Sequence, residues 1–491
     1  GSNEIQLVIA DSFSLTDDLT VPENVTLIFP RGKVITVPAK SSVSETIATG
    51  DGTKTNFSYT VNDPPIKKKS VTISYTIGGT AYTATDDGFG NISGTDCSGT
   101  VDYVSGDVSL TFSTAPDDGT DISIDYTPTY LLTVNGAIRA GLWQIFDGDG
   151  WIKGSPQVEA ICPQWFGAKG DGTADDTIPI QKAIDVSSSG GTVYLPRGTY
   201  KITDTINLKA KIKFIGDSIE ATIISADSSV TSAIKIPGQD TARIDYWKIA
   251  DLTVRGADAD NSVGIGVEYS SFGYIENVLI IDFHVGLYFY QSWTHTCVGV
   301  RSRSNTSGVV IRNSSNNIQF LGCTIDNNSN VGFTIRGVRQ IQIIGCDIES
   351  NGSYGITISG HESGEPETRQ IDIIACYFEE NGPQGGSGDH ITIGGIDVAD
   401  SNTVVGCYIA GNFFDATSQR AAILVSNARN VCIIGNRFFG SYSAAPVFLR
   451  EASRSTKLAG NGLGTSDISL SLIHISEPTR PRLISYAVFC L

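Results

Sequence analysis

Three acidic residues recur at one position of a pattern repeated in the C-terminal half of the chain. The segments IQFLGCTIDNN (318–328), IQIIGCDIESN (341–351) and IDIIACYFEEN (371–381) align on Cys323, Cys346 and Cys376. Three residues beyond each cysteine stand Asp326, Glu349 and Glu379. TVVGCYIAGN (403–412) and VCIIGNRFFG (431–440) extend the alignment through Cys407 and Asn436, with spacings of 23, 30, 31 and 29 residues. In an extended strand side chains alternate between faces, so positions one and three beyond the cysteine face solvent. Stacked strands lie about 4.8 Å apart. Asp326, Glu349 and Glu379 are therefore expected as one exposed carboxylate column, with Glu380 at its edge. Neighbours in such a column approach the roughly 5–5.5 Å carboxyl separation of retaining glycosidases, and its outer pair the roughly 6.5–9.5 Å of inverting ones. Like charges this close raise one pKa, as a general acid requires. Glu349, flanked on both sides, is the expected acid. The plainer alternative is that these carboxylates only solvate the strand ends.

The position one beyond the cysteine supplies Thr324, Asp347, Tyr377 and Tyr408. Tyrosine beside carboxylates suits a sugar, offering an apolar face for the ring and a hydroxyl for its polar groups. Asp347, Glu380, Tyr377 and Tyr408 are thus candidate substrate contacts. One period earlier, VGVRSRSN (298–305) brings Arg301 and Arg303 near the column after a one-residue slip. Either could hold an acidic sugar or an oxyanion.

These positions are useful only if the repeats stack. Each segment is followed by a second short strand: GFTIRG, YGITISG, HITIGG and AAILVSN. Such a unit cannot bury its apolar side alone, but coil upon coil can, so the expected fold is all-β, a parallel β-helix over about 190–465. Strand twist and the crossover rule make it right-handed. Cys323, Cys346, Cys376 and Cys407 are expected inward, reduced and stacked as small hydrophobes. Asn328, Asn351, Asn381 and Asn412, five residues after each cysteine, are expected as a turn ladder tolerating the left-handed conformation.

The chain of 491 residues carries 53 glycines, only 18% charged residues and a formal charge of −18. That charge disfavours nucleic acid as a partner. No run of about 18 apolar residues is present, so membrane insertion is not expected. The nine cysteines form no C-x-x-C pair. No zinc spacing, phosphate loop or nucleophile elbow occurs, and neither a metal nor a cofactor is expected. Gly170, Gly172 and the nearby aspartates lack the spacing of an EF-hand. His361, in an acidic loop, and His390, at a strand start, are weaker candidates for a base.

In the N-terminal third, 1–43 and 129–162 read as one β region. Residues 44–128, rich in threonine and aspartate, read as an inserted small β-sandwich whose ends must lie close together. That insert resembles the immunoglobulin-like modules of phage tail and baseplate proteins. Residues 163–202 carry Trp165-Phe166-Gly167-Ala168, Gly170-Asp171-Gly172-Thr173, Asp175-Asp176-Thr177, Ile180-Gln181-x-Ala183-Ile184 and Gly191-Thr192-Val193-Tyr194-Leu195-Pro196-x-Gly198-x-Tyr200. This run resembles the start of the pectate-lyase-superfamily right-handed β-helix proteins, a group that includes phage tailspikes and rhamnogalacturonase-like and epimerase-like proteins. The resemblance implies a β-helix over 163–470. Asp175, Asp176 and Thr177 can start a helix whose face of Ile180, Ala183 and Ile184 caps the stack. It also implies a polysaccharide as partner, a homotrimer, and a place in a virion tail or outside the cell. Cleavage of a bacterial surface polysaccharide is the leading expectation. A non-catalytic glycan-binding adhesin or structural virion protein, and a secreted lyase or epimerase, are the alternatives. The paired-aspartate and Gly-His-Gly signatures of polygalacturonase-like hydrolases are missing, so no catalytic residue transfers from the family. The tail 471–491 abandons the repeat and reads as translated sequencing-adapter sequence, not native chain.

Overall fold

The computed structural model describes residues 4–88, 90–360, 365–382, 388–394, 404–449 and 455–463. His361 and the tail 471–491 lie outside the described residues. The chain divides into two compact units, one formed mainly by residues 1–168 and the other by 169–184 and 189–491.

In the first unit, short parallel strands form three three-stranded sheets. Val25–Ile28 lies between Ile5–Val8 and Ile138–Arg139, Ile35–Thr36 between Phe13–Ser14 and Phe146–Asp147, and Leu131–Val134 between Leu19–Val21 and Trp151–Gly154. Leu27, Ile35 and Leu132 fill the space they enclose. Between Thr36 and Leu131 the character changes to eight antiparallel strands running from Val43 to Tyr126, linked in a single hydrogen-bonded sheet. Alternation along Asp107–Phe112 and Asp121–Tyr126 turns Val108, Leu110, Phe112, Ile122, Ile124 and Tyr126 onto a core of their own. The entering and leaving chains pair at Ala39 and Thr129.

The second unit is a parallel β-helix. Most coils contribute two strands to a 24-stranded sheet and one to a ten-stranded sheet. One such coil is Asn316–Leu321, Thr324–Asp326 and Val331–Arg336. The helix Thr177–Val186 buries Ile180, Ala183 and Ile184. Its Gln181 exchanges two hydrogen bonds with the Asn207 backbone, at 3.1 and 2.9 Å. Those bonds satisfy the first strand of the ten-stranded sheet, Ile206–Asn207, which is what capping a stack requires. The Asp176 carbonyl accepts the Ile180 N–H, while its buried carboxylate takes the N–H groups of Lys169 and Gly170.

Two corners of each coil are fixed by a left-handed residue followed by an inward one. At the corner between the two strands of the large sheet the left-handed residues are Gly322, Gly345, Ala375, Gly411 and Gly435. The inward residues after them are Cys323, Cys346, Cys376, Asn412 and Asn436. Each backbone N–H here is accepted by the equivalent side chain one coil on. Cys323 donates to Cys346 Sγ and Cys346 to Cys376 Sγ, both at 3.4 Å. Cys376 donates to Asn412 Oδ1 at 2.8 Å, and Asn412 to Asn436 Oδ1 at 2.9 Å. Cysteine and asparagine thus do the same work: a compact acceptor for a buried N–H. The thiols of Cys323, Cys346, Cys376 and Cys407 are free and buried.

This ladder corrects two expectations. Cys407 does not follow Cys376; it pairs with Ile371 on the preceding strand of the sheet, and Asn412 takes the cysteine position. Gly406 is left-handed too, so Gly406-Cys407 imitates the other corner in sequence. The asparagine ladder proper is Asn305, Asn328, Asn351 and Asn381, the N–H of each of the first three accepted by the next side chain at 3.1 to 3.3 Å. The left-handed residue of that corner is the one before the asparagine: Ser304, Asn327, Ser350 and Glu380.

Candidate functional site

The short strands Arg301–Arg303, Thr324–Asp326, Asp347–Glu349 and Tyr377–Glu379, continued by Phe413–Gln419 and Arg437–Tyr442, stack in parallel register. Their middle residues point inward. Phe378, Phe414 and Phe438 stack face to face at 4.7 and 5.1 Å, which fixes the strands that carry the outer side chains. One outward column reads Arg303, Asp326, Glu349, Glu379, Asp415. Its neighbour reads Arg301, Thr324, Asp347, Tyr377, Phe413, Arg437.

Asp326 is in the column but is not an exposed carboxylate. Its side chain is 1% exposed and pairs with Arg303 at 3.6 Å. Arg301 donates to both its oxygens, from Nε at 3.1 Å and Nη2 at 2.9 Å, and Asn327 adds a bond at 2.8 Å. Burial opposes its ionisation, but the Arg301 and Asn327 hydrogen bonds and the two guanidinium charges hold its carboxyl below the usual range. A carboxylate covered and neutralised in this way can neither donate a proton nor attack. The expectation of three exposed acids fails because arginines occupy both outward positions of the strand before it.

Glu349 and Glu379 are half-buried on adjacent strands. Burial raises the Glu349 carboxyl above its ordinary value, and the charges of Asp347, Asp326 and Glu379 raise it further. Asp347 is raised by burial and by Asp326 and Glu379, and its Oδ1 is enclosed without a hydrogen-bond partner. Tyr377 donates its hydroxyl to Glu379 Oε2 at 3.0 Å, and burial with this bond pushes its pKa up to about 12. The Tyr377 ring stacks on Phe413 at 5.4 Å, and Phe413 on the exposed Phe439 at 4.7 Å.

Tyr408 does not join Tyr377. It is exposed on the other strand of the sheet, level with Asp372, as the displacement of Cys407 demands. Glu380 is exposed at the left-handed corner beside Glu379. His390 is fully buried among Phe378 and Phe414, hydrogen-bonded to Asn381 at 3.1 Å. Burial lowers its pKa to about 3, so it is a core side chain, not a surface base. Arg437 and Phe439 lie one strand further on, and Phe413 and Asp415 are the site residues that the cysteine alignment missed. Their signal is the match of ACYFE (375–379) with GNFFD (411–415). Among the described residues, no three His, Cys, Asp or Glu side chains converge as a metal site.

Residues 164–244 match the family described as rhamnogalacturonase A/epimerase, pectate lyase-like, and residues 233–438 match the right-handed β-helix region. Both models thus match part of the chain, whose second unit is a right-handed parallel β-helix. Among curated proteins it is 36% identical over 135 residues to alginate lyase 7 of Azotobacter vinelandii, covering 24% of this chain and 15% of that protein. It is 26% identical over 206 residues to the capsule K3-specific depolymerase 1 of Klebsiella phage KP32, covering 36% of this chain and 22% of the phage protein. The chain therefore spans well under two thirds of the relatives it matches. Among solved structures, Geobacillus virus E2 ORF18 superposes with a TM-score of 0.51 at 20% identity, over 62% of each chain, a likeness of fold.

Proposed function

We propose that this protein binds a bacterial surface polysaccharide along the Glu349–Asp415 face and hydrolyses it, in the manner of a phage tailspike. The observation that carries the proposal is the pair Glu349 and Glu379. One carboxyl is raised by burial and surrounding acids, and the other, one strand away, accepts the Tyr377 hydroxyl. Glu349 is the general acid that protonates the leaving oxygen. Glu379 is the partner carboxylate, oriented by Tyr377. A backbone separation of one strand, about 4.8 Å, lies close to the roughly 5–5.5 Å of retaining enzymes, so the anomeric configuration is kept. Tyr377 and Phe413 meet the apolar face of the sugar. The partial likeness to a capsule depolymerase of a phage supports the polymer and the setting, a virion tail or the cell exterior. Assembly as a homotrimer belongs to the same reading and is tested by sedimentation equilibrium.

The decisive experiment incubates the protein with a panel of capsular and exopolysaccharides. New reducing ends of retained configuration support the proposal. Ultraviolet absorbance of an unsaturated product replaces it with a lyase, the reading favoured by the likeness to an alginate lyase. Binding without cleavage replaces it with an adhesin.

A further inference from the structure

The sheet that carries the acids has a second outer surface, on the strand before the acidic one in each coil. Trp293–Val298, Asn316–Leu321, Arg339–Ile344, Arg369–Ile374 and Val404–Ala410 stack there in parallel register. Alternate side chains such as Ile318, Phe320, Ile341 and Ile343 are buried, which turns the last residue of each strand outward. Val298, Leu321, Ile344, Ile374, Ala410 and Ile434 thereby form one aliphatic column on the outside, each partly open to solvent. Exposed rings gather on the same side. Among the described residues of the second unit, the exposed large hydrophobic side chains are Tyr246, Phe272, Trp293 and Tyr408 on this face and its leading corner, and Ile178 and Phe439 elsewhere.

Two of these rings are costly where they stand. Tyr246 and Phe272 occupy the left-handed corner that leads into the strands, at φ 60° and 56°, and their rings stack at 4.9 Å. Beyond Thr294 the same corner carries Asn317, Gln340, Gln370 and Gly406. A bulky aromatic residue in this conformation is strained, and at 59% and 48% exposure the rings recover little of that cost by burial. Charge singles out the same face. The outward acids on the strands from Lys248 to Lys457 are Glu276, paired with Lys248 at 2.5 Å, and Asp372. Arg339, Arg369 and Lys457 are the further bases. At the corners Asp240, Asp245, Asp251 and Glu367 are offset by Arg243 and Arg429. Asp347, Glu349 and Glu379 lie on the next strand, beyond the Gly345 corner. The face is thus close to neutral in a chain of formal charge −18, and it is here that two copies repel least. Aromatic rings and arginines with few acids are also the composition of a protein interface.

We propose that this face is where copies of the chain assemble, lying side by side with their coil stacks parallel and this surface turned to a common axis. The strands from Lys248 to Lys457, about 4.8 Å apart, make it about 40 Å long and about 20 Å wide, or about 800 Å². That is the area each partner gives to a standard interface. Columns that keep one repeat over such a length are matched by a surface with the same repeat, which another copy supplies. The inference rests on the assembly part of the proposed function and leaves the acids open to the polymer.

The test is sedimentation equilibrium of the full chain together with maleimide alkylation of Cys432. That thiol alone is not buried among the free cysteines of the described residues, and it lies on this face between Tyr408 and Lys457. The wild-type protein is expected to associate, and its Cys432 to react at least tenfold more slowly than in dissociated chain. Two variants should raise the dissociation constant at least tenfold, the scale of a well-packed interface residue, and free Cys432. Leu321→Lys/Ile374→Lys places charge on the aliphatic column. Phe272→Asn removes a ring and relieves the left-handed corner, so the single chain should be no less stable while assembly weakens. If the lysine pair loses its β-sheet circular dichroism, Phe272→Asn decides alone. Association that survives the folded variants with Cys432 reacting at full rate overturns this face and leaves the assembly standing. A wild-type monomer at every concentration overturns both, and if added polysaccharide then slows the alkylation, the face belongs to the polymer. None of these outcomes alters the reducing-end assay of the acids.

Discussion

Lowering the pH from 7.5 to 5 should cost this β-helix about 4 kcal/mol of stability, because two histidines are sealed inside it uncharged. His295 packs against Trp247 and Phe289 and accepts the Gly273 N–H on Nδ1 at 2.9 Å, while Nε2 meets the Ser270 carbonyl at 3.2 Å. Both ring nitrogens are used by a neutral imidazole. Burial lowers its pKa to about 4, and that of His390 to about 3. In the unfolded chain both titrate near 6.5. A base with a depressed pKa contributes its full stability above about pH 6.5 and loses it as the pH falls toward the folded value. At pH 5 the unfolded chain takes up protons that the folded one refuses. Each histidine then favours unfolding by about 1.5 pH units at 1.36 kcal/mol per unit, or about 2 kcal/mol. The raised carboxyls of Asp347 and Glu349 act in the opposite sense, gaining stability as the pH falls. The histidine share is therefore read by difference. Urea unfolding at pH 7.5 and pH 5 is compared between the wild-type protein and the double variant His295→Asn/His390→Asn. The variant should start less stable and lose about 4 kcal/mol less on acidification. The same pH dependence in both proteins would refute the burial argument.

Glu349→Gln should lower turnover about 10²-fold or more without lowering the melting temperature, because it removes a charge that its neighbours oppose; initial rates of reducing-end release on the cleaved polymer measure it. In the wild-type protein the same rates should fall on the alkaline side, as the pH rises through the elevated Glu349 pKa. Asn351→Ala removes the acceptor of the Asn328 side chain at 2.8 Å and the donor to the Ile325 carbonyl at 2.9 Å, leaving buried groups unpaired. It should cost about 2–4 kcal/mol in urea unfolding. Phe413→Ala should weaken polysaccharide binding about tenfold by isothermal titration, with cleavage at saturation little changed, because the ring meets sugar without touching the reacting atoms.

Much of this was legible in the sequence because a solenoid repeats its geometry. Once Cys323, Cys346 and Cys376 were aligned, period-two alternation placed Asp326, Glu349 and Glu379 on one outward column, and the register agrees. Two features were hidden. The first is that both corners use a left-handed residue followed by an inward one. Gly406-Cys407 and Gly411-Asn412 therefore both look like continuations of Ala375-Cys376, and the pairing follows the second, where GNFFD matches ACYFE. Choosing the first moved Tyr408 into the site and left Phe413 and Asp415 out. The second is burial. Alternation says which way Asp326 points, not what lies over it. The sequence brought Arg301 and Arg303 near the column, but did not show that they close over Asp326 from the strand before it.

The same property that makes the column readable also explains how it separates three acids of one chemical type. Strand spacing alone gives Asp326, Glu349 and Glu379 identical surroundings. What differs is the side chain that each one meets. Asp326 meets two guanidinium groups from the strand before it and is ionised and covered. Glu349 meets acids on both sides and in the neighbouring column, so its proton is held more tightly. Glu379 meets a tyrosine hydroxyl. A stack of equivalent strands thus becomes a graded series by single changes in the outward columns. The inward residues between these outward ones are hydrophobic from Ile325 and Ile348 to Phe378 and Phe414. The core is therefore constrained coil by coil while the outer face is free to vary, and function on this scaffold is written in the order of its outward side chains.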